Sequence, residues 1–499
     1  MKPCNLICAY QGAEAIDFPN VEKKFKKLKS HEIRNLKSFC NIMKVFDFSY
    51  GDFDGYYIGY TIKQIGKEFD LLRFGDDTII NIEMKSELKS AQKLQKILKQ
   101  METNYYYLKF LGKVVVVITY VENDGFYIYN QEDNTVSIIE PVKVADIIKR
   151  HISNMMIDPD KEFIPSNYLI SPFNSTDKFI NGEYFLTTRQ QTIKKEIEEE
   201  LRVQPFKYFC IVANAGTGKT LLTYDIGKEL MKSGIKVVLI HSGKLNSGHC
   251  KLISEYKWKI YSISSIQQST INNLLNQCEF LLIDEAQRIR NNQLKMIIEY
   301  SKLYNIPIIF SYDPKQYLRD GEDRDVKIYL ERNYPEIPSN TKKLTTKIRT
   351  NKELASFISN LFEIGKSKDN LNYSCVTIDY VEEEVQLQNY MEYLRDQQGW
   401  QPITYTTSLY YEDPFDALAN FSDINAHDVI GQEFSKVVFV MDRNFKYINN
   451  RLATKKTFYS SKGMLYQITT RVVDELKIIV FSNPELYLKL LEIKSMEGV

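Results

Sequence analysis

Ile211-Val-Ala-Asn-Ala-Gly-Thr-Gly-Lys-Thr220 decides the fold. The mostly apolar run from Tyr208 to Val212 predicts the end of a buried strand, and the spacing of Leu221, Tyr224, Ile226 and Leu230 predicts a helix that opens on Lys219-Thr220. In a strand–loop–helix of this kind, backbone N–H groups at the loop and helix N-terminus converge on an anion, and the helix dipole adds to their field. The stretch therefore reads as a cradle for nucleotide phosphates. Gly216 and Gly218 lie in its tight part, Lys219 reaches the β- and γ-phosphates, and Thr220 ligates Mg2+. A full pattern of this type starts with Gly where this chain has Ala213, and a glycine-rich turn that merely caps a helix shares some of the same letters.

With 499 residues the chain is too long for one ordinary domain, and about three are expected. Hydrophobic and charged contents of 43% and 26% are those of a globular protein with ample core. A net charge of +1 means that any basic groove is local and balanced by acid elsewhere. The 7 cysteines are odd in number and scattered, which predicts reduced thiols rather than a disulfide framework. Cys4 and Cys8 have loose metal spacing, but no His or Cys cluster follows them, so zinc is not expected. No apolar run reaches the ~18 residues of a membrane helix, and no signal-peptide core opens the chain. A cytoplasmic location without membrane contact is expected.

In the N-terminal third, apolar residues interleaved with lysines predict a helix within 18–45, whose Lys23–Lys29 run reads as a solvated face. Strands are predicted over Tyr56–Ile65, Glu68–Phe74 and Thr78–Lys85, the last two joined by a turn at Gly75-Asp-Asp. A helix over Leu88–Phe110 and a strand over Lys113–Tyr120, covered on both faces, follow. Strand side chains alternate, so Glu68 and Asp70 share one face, as do Glu83 and Lys85. Pairing the two strands brings Asp70 near Glu83 and Lys85. Two carboxylates that close repel unless a divalent cation or the lysine compensates them, an arrangement suited to Mg2+-assisted phosphodiester hydrolysis.

On these residues, Asp70 in Glu-Phe-Asp-Leu-Leu-Arg-Phe and then Glu83-Met-Lys85, roughly residues 15–150 resemble the PD-(D/E)XK nucleases. The resemblance implies Asp70 and Glu83 as metal ligands and Lys85 as the catalytic lysine. Gln100 on the following helix and Glu32 on the first are further candidates by the same resemblance. A charged hairpin with surface ion pairs, or a nuclease fold without activity, is the alternative.

Further along, Cys278-Glu-Phe-Leu-Leu-Ile-Asp284-Glu285-Ala-Gln287 is a buried strand ending in two acids, with Asp284 placed to hold Mg2+ and Glu285 to activate the attacking water. Lys236–Ile240, followed by His241-Ser-Gly-Lys, and Ile306–Tyr312, followed by Asp313-Pro-Lys-Gln316, are two more such strands. Several strand ends carrying chemistry in one α/β sheet match ligand binding at the carboxyl edge.

With these motifs in order, residues 184–475 resemble the superfamily-1 helicase/translocase ATPases. Leu186-Thr-Thr-Arg-Gln190-Gln191 is similar to the adenine-reading Gln motif. Asp313-Pro-Lys-Gln316 resembles the Gln sensor, and Leu344-Thr-Thr-Lys-Ile-Arg349-Thr the motif whose Arg contacts the γ-phosphate. His427-Asp-Val-Ile-Gly431-Gln-Glu433-Phe resembles the stretch that links DNA with the nucleotide sugar, and Leu465-Tyr466-Gln-Ile-Thr-Thr-Arg471 resembles the last motif, whose Arg is the second finger. A guanidinium reaching from a second lobe to phosphates on the first stabilises transition-state charge and makes lobe closure answer to hydrolysis. The intervals from His241 to Asp284 and from Arg349 to Gly431 are short, leaving little room for the insertions that split duplex in processive members. Ser242, Lys244, Tyr317 and His427 are the candidates for strand contact.

The expected fold is α/β: a restriction-endonuclease-like mixed domain (1–157), a Pro-, Asn- and Ser-bearing linker (158–179), and two RecA-like parallel-sheet domains (180–335 and 336–499). The expected function is ATP- and Mg2+-dependent processing of DNA, with RNA not excluded, by a nuclease joined to a motor. Architecture of this kind resembles defence against phage or foreign DNA. A homo-oligomer or a partner defence protein is left open. The alternative is an ATP-switched module that binds nucleic acid or protein and carries an inactive nuclease-like domain.

Overall fold

The computed structural model describes residues 2–15, 30–63, 65–86, 93–164, 168, 170–204, 206–214, 216–314, 316, 326–344, 352–367, 371–408 and 412–495. The chain divides into two compact units, Met1–Tyr168 and Leu169–Val499.

In the first unit, six strands lie in sequence order: β1 (Tyr56–Thr61), β2 (Glu68–Phe74), β3 (Thr78–Lys85), β4 (Val114–Val121), β5 (Gly125–Asn130) and β6 (Thr135–Ile139). All neighbours are antiparallel except β3 and β4. That parallel step needs a crossover, and the helix Lys93–Leu108 lies on it. The alternation of β3 and β4 sorts the core. Ile80, Ile82, Ile118 and Tyr120 pack with Leu36, Phe39 and Met43 of the helix Ser30–Lys44, whereas Val117 and Val121 pack with Ile97 and Met101 of the crossover helix. Both faces are covered from Val117 to Val121, which is why the β4 stretch is rich in β-branched residues without a polar alternation. The predicted strand Tyr56–Ile65 stops at Thr61, because Gly66, at φ 78°, turns the chain and Ile62 N donates to Lys67 O (2.8 Å). The predicted helix Leu88–Phe110 is described from Lys93, and past Leu108 it tightens to a 3-10 turn that ends at Gly112 (φ 68°). The Lys23–Lys29 run lies outside the described residues.

In the second unit, a parallel sheet runs in the order β12-β7-β11-β10-β8-β9, made of β7 (Tyr208–Ala213), β8 (Val237–His241), β9 (Lys259–Ser262), β10 (Phe280–Asp284), β11 (Ile308–Tyr312) and β12 (Ser339–Leu344). Apolar residues alternate between its faces. Phe209, Ile211, Leu239 and Leu282 pack under the phosphate-loop helix Lys219–Lys232, and Tyr208, Cys210, Ile240 and Phe310 pack against Ile297 and Ile298. A second parallel sheet, β13-β18-β15-β14, is built from β13 (Val376–Val381), β14 (Gln401–Pro402), β15 (Phe434–Met441) and β18 (Val472–Phe481), while β16 (Phe445–Ile448) and β17 (Arg451–Thr454) form a separate ribbon. β12 belongs to the first sheet, so that sheet runs past the boundary expected at 335. Among the described residues no helix is long and apolar enough to cross a membrane.

The stretch expected as a linker holds structure of its own. It contains the short helix Pro159–Glu162 and, in the second unit, the helix Thr176–Asn181. Phe173 is 5% exposed, stacks on His249 (centroids 3.9 Å apart) and meets Tyr224 edge-on at 5.0 Å. The backbone of Phe173 runs over Gly248 so closely that a Cβ there would lie 2.3 Å from its carbonyl oxygen and 2.4 Å from its Cα. Backbone cannot swing aside as a side-chain tip can. Gly248→Ala is therefore expected to cost about 1–3 kcal/mol of stability, read as a lowered urea midpoint of the full chain by circular dichroism.

Candidate active sites

The phosphate loop is set by its two glycines. Gly216 (φ 72°) and Gly218 (φ 76°) take left-handed conformations, and Gly218 is the N-cap of the helix Lys219–Lys232. Gln190 braces the loop from below. Its Nε2 donates to Thr217 O (3.2 Å) and Gly218 O (3.1 Å), and its Oε1 accepts from Thr187 N (2.8 Å). Thr187 Oγ1 in turn accepts from Gln190 N (3.1 Å), which completes a capping box. In this arrangement the fully buried Gln190 amide holds the loop itself.

Asp284 ends β10 level with His241 of β8 and Ser311 of β11, so three strand ends meet at one edge. Thr220 Oγ1 lies 3.4 Å from Asp284 Oδ2, and His241 Nδ1 lies 3.6 Å from the same oxygen. Asp284 Oδ1 is buried without a hydrogen-bond partner, as are both His241 nitrogens, Ser242 Oγ and Gln316 Oε1. Buried polar atoms left this way are costly. An oxygen-seeking cation beside Thr220 and Asp284 fits the donor chemistry there.

Glu285 sits in a left-handed conformation (φ 56°, ψ 40°) that non-glycine residues seldom adopt, and the 3-10 turn Ala286–Arg288 curls back over it. Its carboxylate is fully engaged. Lys219 Nζ donates to Oε1 (2.8 Å), Gln287 Nε2 donates to Oε2 (2.6 Å), and Arg288 Nε lies 3.7 Å from Oε2. Burial works to raise the pKa of Glu285, but the charges of Lys219, Arg288 and Arg471 outweigh it and hold the carboxyl well below its usual range. For Lys219, burial works to lower the ammonium, and Glu285, Asp284 and Asp313 overcome it, so its pKa is raised.

Arg471 reaches this site from the second lobe. It is 6% exposed, and its guanidinium donates to Gln467 O and Gln432 O (both 3.3 Å). Gln316 meets the second lobe as well, with Nε2 3.5 Å from Thr470 Oγ1, and its backbone carbonyl accepts from Gln287 Nε2 (3.2 Å). Glu433 lies beside Gln432 at the entry to β15, where its carbonyl accepts a hydrogen bond from Asn174 Nδ2. Arg349 and Tyr317 lie outside the described residues. Along one side of the lobes runs an open groove of about 1850 Å³, lined by Ser242, Lys244 and His427 together with Gln267, Arg288 and Asn292. Lys244 Nζ meets Asp428 Oδ1 at 2.9 Å, and His427 Nδ1 lies 2.7 Å from Thr406 Oγ1. Sequence reasoning missed Arg288, Gln467 and Phe173. Arg288 at least follows directly on the quoted acid-bearing motif.

In the first unit the strand pairing of Leu71 with Ile82, carried one residue further, sets Asp70 opposite Glu83. Asp70 Oδ2 accepts from Met84 N (2.8 Å). Glu83, 2% exposed, is ringed by donors: Asn104 Nδ2 at 2.8 Å, Asn81 Nδ2 and Asp70 N at 3.4 Å each, and Gln100 Nε2. Burial and the Glu83 charge push the Asp70 carboxyl up to about 7, against the Met84 hydrogen bond and the Lys85 charge. Lys67, another residue missed in the sequence, is close enough to both carboxylates that their charges offset part of the burial that lowers its own pKa. Glu32 lies in the first turn of the helix Ser30–Lys44, with His31 at 3.9 Å. Among the described residues no group of three or more His, Cys, Asp or Glu side chains forms a metal cage. Two carboxylates with water completing the shell is nonetheless an ordinary donor set for Mg2+.

The raised Asp70 fixes a pH signature. The folded carboxyl binds its proton more tightly than an unfolded one, so the Asp70 contribution to stability is full below about pH 4 and is lost as pH rises toward 7. Melting temperatures of the full chain across that window are expected to fall more steeply for the wild type than for Asp70→Asn. Added Mg2+ is expected to recover the loss in the wild type only.

Fold and edge chemistry together define the second unit as a phosphate-loop α/β protein with a two-lobed cleft. Residues 207–397 match the family model described as Schlafen group 3, DNA/RNA helicase domain, so this stretch is similar to a helicase domain. No curated protein matches the sequence. Solved structures similar to the chain include Pif1 helicase from Candida albicans (14% identity, 62% of this chain and 98% of that one, TM-score 0.34). Unliganded Pif1 from Bacteroides sp is another (12%, 63% and 98%, TM-score 0.31), and so is the DUF1998 helicase MrfA bound to DNA and AMPPNP (10%, 64% and 52%, TM-score 0.30). At scores this low the likenesses transfer no residue role.

Proposed function

We propose that residues 169–499 are an ATP-hydrolysing motor that moves on or remodels nucleic acid, and that the N-terminal unit is a Mg2+-dependent nuclease. The observation that carries the motor reading is the buried Lys219–Glu285 contact, with the charge of Arg471 on the other lobe acting on the same carboxylate. When a triphosphate enters, Lys219 turns from Glu285 to the β- and γ-phosphates, and Glu285 is released to orient and deprotonate the attacking water. Arg471 stabilises charge on the transferring group, and so ties hydrolysis to lobe closure. Thr220 and Asp284 would hold Mg2+, which neutralises phosphate charge when bound. The groove lined by Ser242, Lys244 and His427 is where a strand would run. In the N-terminal unit Asp70 and Glu83 would hold Mg2+, with Lys85 orienting the nucleophile. A chain that joins these two activities suits defence against foreign DNA.

A second reading keeps the motor as an ATP-switched binding module and the N-terminal unit as inactive. It is favoured by the amides of Gln100, Asn81 and Asn104, which already satisfy Glu83 without a cation.

Lys219→Ala is expected to abolish ATP binding and hydrolysis. Glu285→Gln is expected to keep binding and lower kcat by roughly 10²–10⁴-fold, measured with and without single-stranded DNA or RNA. Radiolabelled DNA and RNA incubated with Mg2+, with and without ATP, separate the two readings. Cleavage lost in Asp70→Ala supports the nuclease, whereas no cleavage by the wild type on either substrate supports the binding module. Cleavage that is altered in Lys219→Ala marks control of the cutting site by the motor.

A further inference from the structure

Arg288 stands outside the phosphate loop, yet its side chain is as buried as that of Lys219. Its side chain is 5% exposed, held by the 3-10 turn that follows the left-handed Glu285. One end lies 3.7 Å from Glu285 Oε2 on the first lobe, and its other end donates to Gln467 Oε1 (3.2 Å) on the helix Ser461–Thr469 of the second. Gln467 is itself 1% exposed, and its backbone carbonyl accepts from Arg471 Nε (3.3 Å). The same residue thus carries one arginine on its side chain and the other on its main chain. Arg288 Nε and Gln467 Nε2 are both buried without a hydrogen-bond partner, so the pair is not optimised as a static contact. Arg288 also forms part of the wall of the groove.

We propose that Arg288 is a positioning residue for hydrolysis, latching Glu285 to Gln467 so that the carboxylate is aimed only when the lobes are closed over an occupied groove. The proposal rests on the motor reading above. A guanidinium suits the role because its planar fork presents donors in two directions at once, which a lysine ammonium on its flexible stem does not reproduce. Rotating the second lobe away withdraws Gln467 and, with it, Arg471. The arginine finger and the alignment of the base are thereby lost in one motion. A polyanionic strand lying in the groove favours the closed arrangement, since it meets Arg288 together with Ser242 and Lys244 of the first lobe and His427 of the second.

The test is a double-mutant cycle on strand-stimulated ATP hydrolysis by the full chain. Arg288→Gln and Gln467→Ala are each expected to lower kcat by about tenfold or more while KM for ATP stays within about twofold. The double variant is expected to fall no further than the worse single one. Arg288→Lys is expected to behave like Arg288→Gln. Losses that multiply, a KM that rises with kcat preserved, or a fully active Arg288→Lys each overturn the latch. Binding of a fluorescent ATP analogue and the melting temperature check that each variant is folded, and Gln467→Ala carries the test should Arg288→Gln not fold. Wild-type chain that fails to hydrolyse ATP, or hydrolysis indifferent to Lys219→Ala, removes the motor reading itself. Lys219-dependent hydrolysis that is indifferent to Arg288 and Gln467 removes only the latch.

Discussion

The contact between Lys219 and Glu285 governs the second unit. Both side chains are buried, at 8% and 2% exposure, and neither is tolerable alone. Taking one partner from a buried ion pair costs about 3–5 kcal/mol, because the charge left behind has no water to turn to. The geometry that brings them together is therefore under tight constraint. The phosphate-loop helix rides so close to β10 that a Cβ on Gly227 would come within 2.6 Å of Leu282 Cδ1, and this close packing sets the separation between the helix that begins with Lys219 and the strand that ends at Asp284. The left-handed turn at Glu285 then brings its carboxylate back over the loop. An incoming triphosphate would compete with Glu285 for a lysine that is already desolvated, and the carboxylate it frees keeps Gln287 and Arg288 as partners.

Much of this was legible in the sequence because buried parallel strands are continuous apolar runs, and because polar residues at their ends stand out against that background. The strand order was not legible, since pairing is decided by contacts far apart in the chain. β12 shows the difficulty in one segment. Ser-Asn-Thr-Lys-Lys-Leu has no apolar alternation, and Lys342 within it is bound instead by Glu196 (2.8 Å) and Glu200 (2.6 Å) of a neighbouring helix. Gln190 carried two signals. The resemblance assigns it to adenine, while Thr187-x-x-Gln190 is also a capping box; in the structure its Oε1 completes that box and its Nε2 reaches the loop carbonyls.

In the N-terminal unit the hairpin could be read directly, because period-two alternation puts Asp70, Glu83 and Lys85 at one place once the turn is known. The surrounding amides could be read only in part. Asn81 shares a face with Glu83, and Asn104 lies one helical turn beyond Gln100, but nothing local announces that all three converge on a single carboxylate. Lys67 was hidden because it stands in the turn before β2 rather than within the strand pattern.

Phe173 was hidden too, inside a stretch rich in proline and asparagine. Its ring lies on His249 in one lobe and so near Gly431 in the other that a Cβ there would meet it at 3.0 Å. Prising the lobes apart must strip this benzyl group of one of its two walls and wet it, at a cost on the order of 1.5–3 kcal/mol for full exposure. A single aromatic ring ahead of the phosphate loop thus acts as a clasp between the two lobes, one that any opening of the cleft would have to wet.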